Sequence, residues 1–401
     1  MEALKLLNSL DSIQALKDIG AEIFLVGGIV RDYFLEKKSK DIDIIVRLID
    51  EKQLMSVLEK FGKVDKVGES FGVVKFLPNQ VKLDEPIDIA FPRFDRKATE
   101  EEKQAQIKEF GKVTGRGIVT DSDPMLSIED DLERRDFTIN SVAMALNGTI
   151  VDPFNGMQDL KDGIIRATSP LAFSEDPLRM MRAVQFASRF DFIIEEGTWK
   201  MILDNKEQIK DISGERTHDE LVKIFEKGDI QLGLELFEKS GLRSEIFPGV
   251  LNNILVKINR TDIKTIEDFF FIICPSSEDF MKKFKGEKNI GKGIKALEFF
   301  TSEFSKLRTS EFETSEARQL LFNSIQKSAS ILDSGIVKAT TDVIEDFKNN
   351  TMPKSTRDLA LNGNDLMELG FQGVEIKNRF DFFLSEIFSE KRENNKEDLL
   401  R

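Results

Sequence analysis

The stretch that decides the fold is EIFLVGGIVRDYFLEKKSKDIDIIV, residues 22–46. Its first five residues are a short β-prone run, which ends at two adjacent glycines, Gly27 and Gly28. Residues 29–35 look like a helix start, and residues 41–46 begin with a strict alternation of polar and apolar side chains, which predicts a second strand. A strand, a glycine turn, a helix and a second strand in this order predict an α/β unit on a small sheet.

The segments around this unit extend the sheet and then give way to helices. Helical spacing is predicted at residues 2–18 and 51–61, and strands at residues 63–67, 72–76 and 86–91, with a turn at 68–71. The first 150 residues therefore hold a sheet of about five strands. Residues 93–132 are polar, charged and glycine-dotted, which is typical of a long functional loop.

Helical patterns dominate the rest of the chain. They cover residues 175–190, 198–210, 214–227, 230–240, 265–274, 293–307, 314–332, 335–349, 363–369 and 373–390. The sequence therefore predicts an α+β protein, in which a small mixed-sheet head is followed by an elongated all-α body.

Composition excludes several classes of protein. The chain has 401 residues, which at ~150 residues per domain predicts two or three domains. One cysteine, Cys274, excludes an intrachain disulfide framework and a four-cysteine zinc site. One histidine, His218, excludes multi-histidine metal sites, and it excludes a Ser-His-Asp or Cys-His enzyme unless His218 is the base. Chemistry is therefore expected from carboxylates, arginines, lysines and an oxygen-bound metal ion.

Charge and hydropathy bear on partners and location. Lys and Arg number 58 and Asp and Glu 72, so the net charge of −14 argues against general coating of nucleic acid but leaves room for a local basic groove. The first residues lack the basic start and apolar run of a signal peptide. The longest apolar run, residues 269–274, is too short for a membrane span. These features and the single cysteine predict a cytoplasmic protein with no membrane partner.

The first candidate site combines the glycine pair with two carboxylates. Gly27 and Gly28, between a strand and a helix, let backbone N–H groups approach a phosphate, and Arg31 adds charge-assisted hydrogen bonds. Asp41 and Asp43 point to the same face of a strand, because the side-chain period is two. Carboxylates this close repel each other unless a cation lies between them, and Mg²⁺ held by carboxylates and substrate phosphates meets that need. An ordinary turn and a solvated strand edge explain each piece alone; their order and spacing favour the metal-dependent phosphate site.

Two later segments carry further candidates. Asp88, in the strand at residues 86–91, is either a third carboxylate of this site or a partner of Arg93. In ERRDFTIN, residues 133–140, either of two adjacent arginines is suited to a triphosphate, and the aspartate is suited to a ribose hydroxyl. A surface salt-bridge cluster is the alternative for that segment.

Two helical motifs follow. In EDPLRMMRAVQFASRF, residues 175–190, Asp176, Arg179 and Arg182 recur along one side of the predicted helix. An acceptor beside a guanidinium fork is able to read the Watson–Crick edge of a base, and an intrahelical salt bridge on a solvated face is the alternative. SGERTHDEL, residues 213–221, is expected to begin a bracing helix, in which His218 is a structural residue and not a catalyst.

Taken together and in order, these motifs resemble those of class II tRNA nucleotidyltransferases, the CCA-adding enzymes, and of their bacterial poly(A) polymerase relatives. The resemblance runs through LVGGIVRD, DID, RRDFTIN, VDPFNGMQDLKDGIIR, EDPLR and GERTHDEL, roughly residues 22–225. A weaker similarity, LALNGNDLMELGFQG at residues 359–373, looks like the tail segment of bacterial members.

The resemblance implies a template-independent transferase that adds CMP and AMP to the 3′ end of tRNA, with CTP and ATP as substrates, Mg²⁺ as cofactor and pyrophosphate as the second product. It implies a catalytic head at residues 1–150, a base-reading neck at 151–227 and a tRNA-binding all-α body and tail at 228–401. Asp41 and Asp43 would hold the metal as catalytic residues, with Asp88 as a third candidate. The nucleotide-binding residues would be Gly27, Gly28, Arg31, Arg135, Asp136, Asp176, Arg179 and Arg182.

Three further features qualify this picture. Residues 94–130 match the family's mobile segment, which helps switch specificity from C to A. Gln185 stands where some relatives have an arginine, so one phosphate contact is not carried over. The run MKKFKGEKNIGKGIK, residues 281–295, has six lysines against one glutamate and is a candidate RNA-binding segment, or else a solvated charged one. Its predicted RNA-binding residues are Lys282, Lys283, Lys285 and Lys288.

Other functions remain open at this point. An A-adding enzyme or a poly(A) polymerase would use the same site chemistry with ATP alone. A non-catalytic RNA-binding protein is disfavoured, because Asp41 and Asp43 are both present. A small-molecule nucleotidyltransferase explains the glycine pair and the two carboxylates but leaves EDPLR and the helical body without a role.

Overall fold

The structure is a computed structural model that describes two compact units, Met1–Glu245 and Ile246–Arg401. The described residues are 2–39, 41–67, 73–102, 104, 118–248, 263–274, 276–285, 287–295, 297–298, 359–388 and 395–400. The predicted turn at 68–71, the helices at 314–332 and 335–349 and most of the helix at 293–307 lie outside them.

The first unit is built on a mixed sheet of seven strands, in the order β3-β4-β5-β2-β1-β8-β9. Within it, β2 and β5 run parallel and the other neighbouring strands run antiparallel. Two small ribbons, β6-β7 and β10-β11, complete the strands of this unit. The strands are β1 (Glu22–Val26), β2 (Ile42–Arg47), β3 (Gly62–Val67), β4 (Val73–Pro78), β5 (Ile87–Ala90), β6 (Arg93–Lys97), β7 (Ile118–Ser122), β8 (Ala143–Ala145), β9 (Ile150–Val151), β10 (Ile164–Ile165) and β11 (Ile193–Ile194).

Helices cover the sheet and continue beyond it. They are α1 (Glu2–Ser9), α2 (Asp11–Asp18), α3 (Gly28–Phe34), α4 (Glu51–Leu58), α5 (Ile128–Glu133), α6 (Gly156–Asp162), α7 (Ala172–Glu175), α8 (Leu178–Phe190), α9 (Glu196–Asn205), α10 (Gly214–Lys227), α11 (Ile230–Lys239) and α12 (Leu242–Ile246). Two 3₁₀ segments, Thr138–Asn140 and Lys206–Asp211, join them.

The core lies between the sheet and the helices that precede and follow β1. Leu7, Leu10, Ile13 and Leu16 are at most 1% exposed, because their spacing places them on one face of α1 and α2. They join the buried residues of β1, β2, β4 and β5 in one hydrophobic cluster. The fold class predicted from the sequence, a small mixed-sheet head with helices after it, is confirmed.

Several boundaries differ from the sequence prediction. The sheet has seven strands rather than about five, because β8 and β9 are only three and two residues long and give little pattern. The segment 93–132 is not one long loop: β6 and β7 pair as an antiparallel ribbon, and α5 follows them. The predicted helix at 2–18 is interrupted at Leu10, which has extended backbone angles.

The second unit is described in two helical clusters. Its helices are α13 (Ile266–Ile273), α14 (Ser277–Lys283), α15 (Gly363–Glu368), α16 (Val374–Phe388) and α17 (Lys396–Leu400). Phe270 makes edge-on ring contacts with Phe269, Phe280 and Phe284 at centroid distances of 5.0–5.8 Å. Phenylalanine therefore fills this core. In the parts of the chain that the structure describes, no helix is long and apolar enough to span a membrane.

Candidate active site

The turn between β1 and α3 requires glycine. Gly27 has φ 70° and ψ −132°, a conformation that side chains disfavour. A Cβ at Gly27 would lie 3.0 Å from Nη1 of Arg135, which follows α5. The missing side chain therefore lets Arg135 approach the backbone at the start of α3.

Arg31 is held rigidly one turn into α3. It is 5% exposed, forms an ion pair of 2.6 Å with Asp32 and donates from Nη1 to Oδ1 of Asn140 at 2.8 Å. Its guanidinium lies 5.2 Å from the ring centroid of Phe186 and 4.8 Å from that of Phe190. Burial lowers the pKa of Arg31, although the attraction of Asp32 opposes this. These contacts fix the orientation of the guanidinium at the cavity wall.

Three carboxylates meet where β2 and β5 run side by side. Asp43 on β2 is aligned with Asp88 on β5, so the two side chains share a face of the sheet. Asp41 lies just before β2 rather than within it, since the strand begins at Ile42. Burial raises the pKa of Asp43, and repulsion from Asp88 and from Asp41 adds to this, while Arg135 opposes it. The positive charge near Asp43 is therefore too small to offset its burial and the repulsion from the other two carboxylates.

Asp88 has a partner other than the one weighed from the sequence. Its two carboxylate oxygens lie 3.0 and 3.3 Å from Nζ of Lys75, which is directly opposite on β4. The hydrogen bond to Asp88 raises the pKa of Lys75. Asp88 is thus partly neutralised, and Arg93 is not its partner within the described residues.

The carboxylates suit a divalent cation that also binds substrate. Within the described ranges, no group of three or more His, Cys, Asp or Glu side chains is placed so that it could hold a metal ion by itself. Mg²⁺ is commonly held by one or two carboxylates together with substrate phosphates and water, so an incomplete protein site is the expected form. Asp41 and Asp43 have no ion-pair partner among the described residues and fit this donor set, whereas Asp88 fits it less well because Lys75 is bound to it.

The end of α5 organises two arginines around one buried carboxylate. Asp131 is 0% exposed and accepts from Nη2 of Arg134 at 2.9 Å and from Nη2 of Arg135 at 2.8 Å. Burial acts to raise the pKa of Asp131, but attraction to Arg135 and Arg134 outweighs it and leaves the pKa lowered. Ser127 and Asp130 form a capping box at the start of the same helix.

Hydrogen-bond donors of the protein occupy most of the acceptor positions of the Asp136 carboxylate. Its Oδ1 accepts from the Phe137 N–H and from Nδ2 of Asn140, both at 2.9 Å, and its Oδ2 accepts from Nε of Arg182 at 2.7 Å. Burial acts against ionisation, but Arg182 and Asn140 outweigh it, so the pKa of Asp136 is lowered. An ionised carboxylate oxygen accepts two hydrogen bonds, so Oδ2 keeps one position for an outside donor.

The base-reading candidates are arranged differently from the prediction. Helix α8 begins at Leu178, so Asp176 lies before it, in extended conformation, and not on a helical face with Arg179 and Arg182. The Asp176 carboxylate accepts from Nη2 of Arg216 on α10 at 2.8 Å. Arg179 donates to the main-chain carbonyls of Arg134 and Ala172. Contacts with other elements, and not a shared helical face, therefore position these three residues.

All of the predicted catalytic and nucleotide-binding residues line one cavity of about 700 Å³. The cavity lies within the first unit, and His218 is not among its lining residues. Its walls carry ten arginines and lysines but only five aspartates, in a chain whose net charge is −14. A concave surface with this local excess of positive charge favours anionic ligands. The sequence did not single out six of these cations as ligand contacts: Arg93, Arg134, Arg189, Arg216, Lys223 and Lys227.

Gln185 marks a departure inside this cavity. It lines the wall on α8, is 2% exposed, and its Nε2 is buried without a hydrogen-bond partner among the described residues. The position therefore supplies a neutral donor where some relatives have a charged one.

The predicted RNA-binding lysines lie on the second unit. Lys282, Lys285 and Lys288 are exposed, whereas Lys283 is partly buried. Burial lowers the pKa of Lys283. Three of the four predicted lysines therefore present an open positive surface, and Lys283 is less available.

Comparison with known proteins gives the same result as the motifs. Residues 23–166 match the family described as the poly A polymerase head domain, and residues 191–253 match the probable RNA and SrmB-binding site of polymerase A. The chain belongs to the family of class II tRNA nucleotidyltransferases and bacterial poly(A) polymerases.

Relatives of this nucleotidyltransferase match along most of their length. A CCA-adding enzyme of Lactobacillus delbrueckii subsp. bulgaricus is 29% identical over 373 residues, covering 90% of this chain and 87% of the relative. A CC-adding tRNA nucleotidyltransferase of Halalkalibacterium halodurans is 28% identical over 367 residues, covering 89% and 86%.

Solved structures show the same fold for this nucleotidyltransferase. The Bacillus stearothermophilus CCA-adding enzyme in complex with CTP has a TM-score of 0.57 at 24% identity, covering 99% of this chain and 94% of that one. The Thermotoga maritima CCA-adding enzyme complexed with tRNA has a TM-score of 0.59 at 21% identity, covering 100% and 93%.

Proposed function

We propose that this nucleotidyltransferase adds CMP and then AMP to the 3′ end of tRNA, without a template, using CTP and ATP. The observation that carries the proposal is the single cavity that joins the Gly27 turn, the carboxylates of β2 and β5 and an arginine-rich wall. Relatives named CCA-adding enzyme, which match about nine-tenths of the chain, support the same activity.

A divalent metal ion is part of the reaction in this family, and we propose Mg²⁺ held by Asp41 and Asp43. When bound, it would stabilise negative charge on the phosphates and lower the pKa of the attacking hydroxyl. The support lies in the position of Asp43, which is partly buried, faces two other carboxylates and has a raised pKa in the free protein. Asp88 is a weaker candidate for catalysis because Lys75 already binds it.

The remaining residues would hold the nucleotide in place. Arg31, Arg135 and Arg182 present guanidinium groups to the cavity and suit the triphosphate, and the Gly27 turn lets Arg135 approach the start of α3. Asp136 keeps one acceptor position on Oδ2, which suits a ribose hydroxyl. Because protein contacts fix each of these groups before substrate arrives, little reorganisation is needed on binding.

Base selection is assigned to Asp176 and Arg179. Arg216 orients the carboxylate of Asp176, and two main-chain carbonyls orient Arg179. A fixed acceptor beside a fixed donor can match the Watson–Crick edges of cytosine and adenine. Switching between the two bases is assigned to the segment 94–130, whose described ends form the β6-β7 ribbon.

Binding of the RNA body is assigned to residues 228–401, with Lys282, Lys285 and Lys288 contacting phosphates. These lysines are exposed, and none has an ion-pair partner among the described residues. The family match to an RNA-binding segment at residues 191–253 supports a second contact region before them. The boundaries of head, neck and body at residues 150 and 227 stay predictions, as does a cytoplasmic location.

The deciding experiment measures product length on defined primers. Purified protein with Mg²⁺ is given a tRNA that lacks its last three nucleotides, with CTP alone, ATP alone or both. The proposal expects two added nucleotides with CTP, none with ATP and three with both. Absence of CMP addition would contradict it.

The same assay separates the alternatives. A CC-adding enzyme, the activity named for one relative, would stop after two nucleotides even with both substrates. An A-adding enzyme would extend only a primer ending in CC, and a poly(A) polymerase would give a long ladder with ATP. A non-catalytic RNA-binding protein would bind tRNA and give no product.

A further inference from the structure

Arg93 lines the cavity but has no role in the site as described so far. It is the first residue of β6 and follows the strand that carries Asp88. Its backbone N–H donates to Oδ1 of Asp131 at 3.1 Å. Among the described residues its guanidinium has no hydrogen-bond or ion-pair partner, and its Nε is buried.

The neighbouring charges make this arrangement costly in the free protein. Arg93, Arg134 and Arg135 all lie close to one buried carboxylate, that of Asp131. Nε of Arg134 is also buried without a partner. Burial lowers the pKa of Arg93, and repulsion from Arg134 and Arg135 adds to this, while Asp131 and Asp95 oppose it. A partly buried cation with too little compensation destabilises the free protein and favours binding of an anion.

The chemistry of the site identifies the anion. A guanidinium presents planar paired donors that match phosphate oxygens, and a second guanidinium beside it doubles the charge. Asp88 does not use this cation, because Lys75 occupies its carboxylate. We propose that Arg93, with Arg134 beside it, is a further binding residue for a phosphate group of the substrates. That this phosphate belongs to a nucleotide or to RNA rests on the proposed function.

Two sources supply the same chemistry, and kinetics distinguishes them. One is the triphosphate of the incoming nucleotide, and the other is a phosphodiester near the 3′ end of the RNA primer. Arg93→Met keeps the side-chain length and removes the charge. Arg47→Met is the matched control, because Arg47 is also partly buried, lies at the end of β2 outside the cavity lining, and pairs with Glu22.

The expected result is a rise in one Michaelis constant. Loss of charge-assisted hydrogen bonds is expected to raise the KM for CTP, at saturating primer, or the KM for the primer, at saturating CTP, by about 10- to 100-fold. A rise for CTP assigns the triphosphate, and a rise for the primer assigns the phosphodiester. Arg93→Lys should recover part of the loss, and Arg47→Met should change neither constant. Two unchanged constants in Arg93→Met overturn the proposal.

A stability measurement excludes a purely structural role. Because Arg93 is repelled by its neighbours, the melting temperature of Arg93→Met without ligand should equal or exceed that of the wild type. A lower melting temperature with unchanged Michaelis constants would make Arg93 a structural residue and overturn the assignment.

Binding without catalysis separates this inference from the proposed function. Tripolyphosphate and a short single-stranded RNA are titrated against the full chain, and affinity is read from thermal shifts. Weaker binding of either probe to Arg93→Met supports the assignment even if the wild type adds no nucleotide. Equal binding of both probes to the wild type and the variant overturns it.

Discussion

At the scale of single residues, the site is a set of charges that the free protein does not balance. Asp43 faces two other carboxylates, whereas Arg93 faces two other arginines. Each imbalance has the sign opposite to that of its proposed ligand, a cation in one case and a phosphate in the other. Ligand binding would therefore relieve repulsion as well as form new contacts.

Asp43→Asn tests the carboxylate side of this argument. The variant should lose at least about 100-fold in turnover, since charge stabilisation at a reacting phosphate is of this order or larger. Its melting temperature without metal should not fall, because the substitution removes repulsion from Asp88 and Asp41. Circular dichroism melting and primer extension measure the two effects. A clearly less stable variant with normal turnover would remove Asp43 from the metal site.

Asp131→Asn tests the buried carboxylate between the arginines. Removing its charge leaves Arg134 and Arg135 uncompensated, so the free energy of unfolding should fall by about 3–5 kcal/mol. The pKa of Asp131 is lowered in the folded state, so its contribution is complete above the unfolded value of about 3.9 and is lost as pH falls through the lower folded value. Denaturation in urea at pH 7 and near pH 3 should show a smaller difference between wild type and variant at the lower pH.

At the scale of elements, the turn from β1 to α3 connects two distant parts of the chain. Gly27 provides the bend, and the space above it is taken by Arg135 from the end of α5. Backbone conformation and guanidinium position are therefore set together.

Gly27→Ala tests this connection against Gly148→Ala. Both glycines have positive φ, but a Cβ at Gly148 meets nothing within 4 Å. Both substitutions should lower the free energy of unfolding by about 1 kcal/mol or somewhat more through backbone strain. Gly27→Ala alone should also raise the KM for nucleotide, because its Cβ displaces Arg135. An equal effect of both variants on KM would contradict this account.

Elements with a clear pattern of apolar residues could be predicted from the sequence, and elements held by polar contacts could not. β1 and β2 carry the apolar residues of a buried sheet, so their positions were predicted to within a residue. β6 and β7 were missed because their residues are mostly polar and the ribbon depends on pairs such as Arg96 with Asp121. The break before α8 was missed because the helical spacing of residues 175–190 continues through it.

The same distinction applies to the site. Motif residues such as Asp43 and Arg182 were found because their spacing is local. Arg93 was missed because it reaches the cavity only through packing of separate elements. Arg189 did carry a signal, since it follows Arg182 by two helical turns on α8. Arg216, Lys223 and Lys227 did carry a signal, since they recur on one side of α10 at helical spacing.

At the scale of the whole molecule, an acidic chain must bind a polyanion through local surfaces. The cavity supplies one such surface, and the exposed lysines of α14 and the residues after it are proposed to supply another.

Replacing Lys282, Lys285 and Lys288 by alanine tests the second surface. The triple variant should bind tRNA more weakly, and the slope of log affinity against log salt should decrease by about 2–3, because up to three phosphate contacts are lost. Turnover at saturating tRNA should not change. Three exposed lysines of the first unit, Lys52, Lys60 and Lys161, provide the matched triple control. Equal affinity of the two triple variants for tRNA would exclude the predicted surface.

The division into two units also determines what optical methods can observe. The chain has one tryptophan and one tyrosine, Trp199 on α9 and Tyr33 on α3, and both belong to Met1–Glu245. The aromatic residues of Ile246–Arg401 are all phenylalanine, which is nearly silent in intrinsic fluorescence. Emission during denaturation therefore reports on the first unit alone, and a tryptophan placed at a phenylalanine of the second unit would give each unit its own signal.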